Sequence, residues 1–188
     1  MSNHHEAFVA QLAVPHRASG AYRGLISCGL DALPAVRAGL RHESADVRHR
    51  CCQFLDHFLT PEVVGDLISM LDDADHRVRS SALHALACHR CKEGSCRPGE
   101  AQVLPRAIAV LANDRSPHVR AMAIEVGGRW VHTNLAAEAA LVKAMESDPN
   151  STVRKKAGWY GPGGTTYRRT TSKIRVARGT TRKAAPSP

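Results

Sequence analysis

Ser44-Ala45-Asp46-Val47-Arg48 is the stretch that decides the fold, because its pattern returns three times: Asp75-His76-Arg77-Val78-Arg79, Ser116-Pro117-His118-Val119-Arg120 and Asn150-Ser151-Thr152-Val153-Arg154. The valines stand 31, 41 and 34 residues apart. A period in the thirties points to a helical repeat array rather than to one globular core. Each stretch reads as a helix start. Ser44, Asp75, Ser116 and Asn150 all lie three residues before the valine, and each side chain offers an oxygen to the orphan N–H groups of a first helical turn. Pro117 follows Ser116 at the first helical position, where a missing N–H costs nothing.

A second helical run precedes each stretch: Leu30–Leu40, Pro61–Leu71, Ala101–Leu111 and Leu135–Met145. The unit is therefore helix A, a tight turn, then helix B. Four residues past the valine stands Cys51, Ala82, Ala123 or Ala157, small in every unit. Small residues there allow close helix approach. Aromatics make up only 4% of the chain, which argues against a β-sandwich or barrel core.

With its cap-x-x-Val-Arg step and paired helices from about Leu30 to Ala157, the chain resembles HEAT-repeat proteins of the short bacterial, bilin-lyase-like type. That resemblance implies an all-α, right-handed α-solenoid of about four helix pairs. It also implies that Arg48, Arg79, Arg120 and Arg154 belong to a polar ladder between repeats. Residues 1–29 read as N-terminal capping helices, since terminal repeats are atypical. Residues 30–160 read as the array, with a cysteine loop at 88–100. Gly158 to Gly164 is rich in glycine and is expected to end the last helix. Residues 161–188 read as a disordered basic tail.

The long middle spacing holds about ten extra residues, among them Cys88, Cys91 and Cys96. Stacking the first two units in register places His57 beside Cys88, and His84 lies one turn before Cys88 on the same helix. Cys88, Cys91, Cys96 and either His84 or His57 form a candidate tetrahedral Zn2+ site that would pin the loop. An iron–sulfur cluster ranks second, since a fourth cysteine would have to come from Cys51 or Cys52, both at packing positions. A redox dithiol at Cys88 and Cys91 ranks third. The plain alternative is three ordinary thiols, one buried at a helix end.

Helix B lines the concave face in such stacks, so His49, Gln53, His84, Glu125 and Arg129 are candidate contacts for a protein partner held in the groove; the alternative is a solvated helix face. Charge is uneven along the chain. Residues 1–153 carry 16 Lys+Arg and 17 Asp+Glu, whereas residues 154–188 carry ten basic residues and no acid. Lys155, Lys156, Arg168, Arg169, Lys173, Arg175, Arg178, Arg182 and Lys183 are therefore candidate phosphate contacts for nucleic acid, or else a solubilising tail.

Three functions compete. A non-catalytic interaction scaffold leads, followed by a nucleic-acid-associated protein acting through the tail. The third is a bilin-lyase-like enzyme, which rests on the resemblance. No catalytic residues stand out. No segment is apolar for the length a bilayer requires, and the first residues show no basic region followed by an apolar run, so a signal peptide is not expected. A cytoplasmic setting is expected, consistent with six cysteines and no export signal. The oligomeric state is left open.

Overall fold

The computed structural model describes residues 2–87 and 98–171. Among these residues there are helices and turns and no strand. The chain forms two compact units, residues 1–106 and 107–188.

In the first unit, α1 (Ser2–Gln11) and α2 (Pro15–Cys28) pack together ahead of the repeats. A 3-10 turn at Gly29–Ala32 leads into α3 (Leu33–Gly39), which pairs with α4 (Ala45–His57). The next pair is α5 (Val64–Ser69), flanked by the 3-10 turns Pro61–Val63 and Met70–Asp72, with α6 (His76–Ala87). The first helices of these pairs are thus shorter and more broken than their apolar spacing suggests. α7 (Glu100–Asn113) begins in the first unit and ends in the second, where α8 (Pro117–Gly127) follows it and α9 (Leu135–Ser147) pairs with α10 (Ser151–Tyr160). The fold is that of a HEAT-type α-solenoid.

Register comes from the repeated valine. Val47, Val78 and Val119 are 0% exposed and Val153 is 1% exposed, so each second helix drives the same position into the core. The small residue one turn on is buried in all four repeats. Its purpose is clearest at Cys51. A Cβ added to Gly39 on α3 would stand 2.6 Å from the Cys51 Sγ and 2.9 Å from Val9 Cγ1. Glycine and a small side chain together bring α1, α3 and α4 within contact. Phe54 and Leu55, at 0% exposure, fill the space beyond.

Two expectations are corrected at the C-terminal end. Gly158 does not stop the last helix; α10 continues to Tyr160. One glycine costs a helix only about 1 kcal/mol, and the Tyr160 ring packs directly over Gly128, where any Cβ would collide with it. The Gly161 N–H then closes the helix on the Ala157 carbonyl at 2.7 Å. The second correction concerns the tail from 161 onward, which is expected to be disordered. Residues 165–171 are helical. Tyr167 stacks on His132 with ring centroids 4.2 Å apart. His132 Nε2 lies 2.7 Å from Thr170 Oγ1. These tertiary contacts hold a segment whose composition alone would not fold.

Candidate functional site

The loops between the helices of each pair carry the most regular chemistry in the molecule. Arg48 lies on the first turn of α4. Its Nη1 donates to the carbonyls of His42 and Glu43, at 2.8 and 2.7 Å. Its Nε and Nη2 grip both oxygens of Asp73 in the following repeat, at 2.7 and 2.9 Å. Arg120 repeats the arrangement in the second unit. Nη1 donates to the Asp114 carbonyl at 2.8 Å, and the fork takes both oxygens of Asp148 at 2.7 and 2.8 Å. Arg79 and Arg154 make the same inner bond, to the carbonyls of Asp73 (2.8 Å) and Asp148 (2.7 Å). The arginine ladder implied by the resemblance is thus present between repeats at Arg48–Asp73 and Arg120–Asp148.

The aspartates do a second job that sequence reading missed. Asp73, Asp114 and Asp148 each accept the backbone N–H two residues on, at 2.8 Å. In the first repeat His42 Nδ1 takes this role for Ser44 at 3.0 Å. The signal was available: aspartate stands two residues before the cap in three of the four stretches. These bonds also correct the capping scheme. Asp75 and Asn150 accept first-turn N–H groups as expected, but the Ser44 and Ser116 side chains make no cap bond.

Charge pairing sets the ionisation of the ladder. Hydrogen bonds from Arg120 hold the Asp148 carboxyl below its ordinary range, against the opposing effect of burial. Burial pushes Asp73 upward, but the Arg48 and Asp75 N–H donors outweigh it and leave the group lowered. Both carboxylates therefore stay charged in neutral solution.

The second helices are stitched side by side by further polar contacts, and these involve several candidate groove residues. His49 Nδ1 lies 2.9 Å from Ser81 Oγ and 3.3 Å from the Arg77 carbonyl, and burial lowers its pKa. Arg77 pairs with Asp46 across repeats at 2.7 Å. His84 Nε2 stands 3.4 Å from Asp56, a buried carboxylate on α4. Glu125 receives Lys156 at 2.5 Å. Gln53 accepts from Arg50 on its own helix at 3.0 Å, and the Arg129 guanidinium sits 4.4 Å from the Trp130 ring centroid.

A concavity of about 540 Å³ lies in the second unit between α7 and α9. Its walls are mostly alanine, including Ala112, Ala136, Ala139 and Ala140, and the Arg120–Asp148 pair contributes to its lining. Its walls come mainly from the first helices α7 and α9, with Arg120 of α8 at one side, and His49, Gln53, His84, Glu125 and Arg129 are not among its lining residues.

Cys88, Cys91 and Cys96 lie outside the described residues, as do Lys173, Arg175, Arg178, Arg182 and Lys183. Among the described residues no three His, Cys, Asp or Glu side chains gather as metal ligands. His57, the other candidate imidazole, ends α4 with its ring centroid 6.4 Å from that of Phe58. Cys51 and Cys52 are core residues, at 1% and 0% exposure. Burial pushes the Cys51 thiol up to about 12 and raises Cys52 as well.

Comparison with known proteins agrees with this geometry. A family model for HEAT repeats matches residues 33–105. Among solved structures, the chain is similar to one described as the complex of CpcE and CpcF of phycocyanin lyase from Nostoc sp. PCC7120. The TM-score is 0.64 at 19% sequence identity, over 80% of this chain and 94% of that one. No curated protein matches.

Proposed function

We propose that this HEAT-repeat chain is a non-catalytic scaffold that binds a protein partner along its repeat surface. The observation that carries the reading is the fold likeness, over 80% of the chain, to a protein whose structure is described as a complex of two chains, CpcE and CpcF. The polar residues of the second helices support it. Many are committed to joining one repeat to the next, as Asp56–His84 and Glu125–Lys156 show. They therefore serve as framework, and the broad helical surface they hold is what such arrays use for binding. The test is affinity purification from the source cells with cross-linking and mass spectrometry. A defined protein cross-linked to the repeats is the expected result; recovery of nucleic acid alone would overturn the reading.

A second reading follows from the same comparison, in which the solved relative is described as a phycocyanin lyase. This chain would then take part in attaching a tetrapyrrole to a protein. Incubation with a bilin and an acceptor protein decides it: no bilin retained or transferred removes this reading and leaves the scaffold. The cysteine loop is proposed as a structural zinc site within either reading. Elemental analysis under reducing conditions should find one zinc per chain, lost in Cys91→Ser.

A further inference from the structure

Two segments of the second unit, 126–137 and 149–171, carry no acidic residue. Together they hold six Lys+Arg and the aromatic residues Trp130, Trp159, Tyr160 and Tyr167. Folding packs them against each other. The Tyr160 ring covers Gly128, Tyr167 stacks on His132, and Gly164 lies against the Gly158 and Trp159 carbonyls. Arg168 Nη1 donates to the Gly163 carbonyl at 2.7 Å, which holds it at that turn. Burial raises the pKa of the Tyr160 phenol, as does the Glu125 charge, and the Arg169 charge opposes the rise. Arg169 thus sits at the same end of α10.

The six cations are not equivalent. Lys156 is committed to Glu125 at 2.5 Å. Lys155 and Arg169 are exposed and make no ion pair among the described residues. Trp159 stands one turn after Lys155 on the same face of α10, with Lys155 Nζ 5.7 Å from its ring centroid. At 45% exposure, Trp159 is the one exposed ring among the described Phe, Tyr and Trp side chains.

We propose that this end of the second unit binds single-stranded nucleic acid, with Trp159 as the platform for a base and Lys155 and Arg169 as phosphate contacts. The inference goes beyond the scaffold reading and does not depend on it. An acid-free surface attracts any polyanion; the open indole among the cations narrows the choice. It fits a chain that alternates flat rings with single negative charges, so that stacking and phosphate pairing act together. An acidic peptide supplies the charge without the rings. A duplex keeps its bases stacked on one another, out of the indole's reach. The geometry also separates two adjacent lysines: Lys155 meets phosphate and Lys156 does not, a distinction that a count of charges cannot make.

The test titrates the full-length protein with an oligothymidylate of about eight nucleotides and follows tryptophan fluorescence and anisotropy. Quenching is expected, and Trp159→Leu should remove it and weaken binding about tenfold. An abasic oligomer of the same length should bind wild type about tenfold more weakly, a comparison that needs no variant. Lys155→Gln should lower the slope of log K against log salt by about 0.7. The charge-neutral pair Glu125→Gln with Lys156→Gln should leave the slope unchanged, as should Arg41→Gln, an exposed charge of the first unit. Three outcomes overturn the proposal: binding that Trp159→Leu and Lys155→Gln leave intact, equal affinity for the abasic oligomer, or equal loss with Arg41→Gln. Equal binding and quenching by a polyglutamate of matched charge also overturns it, in favour of an acidic protein. None of these results bears on whether the repeats hold a protein partner.

Discussion

Replacing Asp148 by alanine tests whether the ladder holds the repeats together or merely decorates them. The carboxylate is 8% exposed and receives three donors: Arg120 Nε at 2.7 Å, Arg120 Nη2 at 2.8 Å and the Asn150 N–H at 2.8 Å. Its removal leaves Arg120, itself 7% exposed, as a buried charge without its counter-ion. Breaking such a pair from one side costs about 3–5 kcal/mol. Arg37–Asp66 is the control. It has a comparable 2.6 Å contact, but its arginine side chain is 41% exposed, so Asp66→Ala should cost about 0–1 kcal/mol. Urea titration by far-UV circular dichroism in neutral, reducing buffer measures both. A double variant, Arg120→Met with Asp148→Leu, should recover much of the loss, because no charge then stays buried alone.

The same pair sets an acid limb. Asp148 is lowered in the folded state from its ordinary value of 3.8. Between the two values the unfolded chain binds more protons, so stability rises with pH there. The contribution is complete above the unfolded value and disappears as pH falls through the folded one. The stability gap between wild type and Asp148→Ala should therefore close on acidification below about pH 4. A cost under about 1 kcal/mol, equal to that of Asp66→Ala, or a gap independent of acid, would refute the argument.

Gly39→Ala should destabilise the first unit by about 1–3 kcal/mol, seen as a lower urea midpoint, because the new methyl meets Cys51 and Val9 at 2.6 and 2.9 Å. Asn150→Ala should cost about 1 kcal/mol in the same assay, since it removes two bonds to the first turn of α10, whereas Ser44→Ala should stay within about 0.5 kcal/mol because no cap bond exists to lose. Among the described cysteines, the partly exposed Cys28 should react with iodoacetamide in the native protein. Cys51 and Cys52 should react only at the unfolding rate, followed by peptide mass mapping.

The repeat was legible in the linear sequence because its signals are local. A cap-type residue, a valine three positions on, an arginine after it and a small residue one turn later all act within a single helix. Four copies therefore locate α4, α6, α8 and α10 without knowledge of any neighbour. The basic segment after Val153 and the buried setting of Cys51 and Cys52 were likewise readable from spacing and composition.

What the tertiary structure decided concerns pairs distant along the chain. The partners of the ladder arginines lie 25 to 28 residues away, and arginine alone does not say which aspartate it will meet. His84 stands 3.4 Å from Asp56 on the neighbouring repeat, a contact between residues far apart in sequence that helix spacing alone does not name. Gly158 looked like a helix stop and residues 165–171 like part of a loose tail. Tyr160 over Gly128 and Tyr167 against His132 make both segments helical. The reason is energetic: local propensity differs by about 1 kcal/mol per residue, and a well-packed ring or a buried ion pair outweighs it only once folding has brought the two halves together.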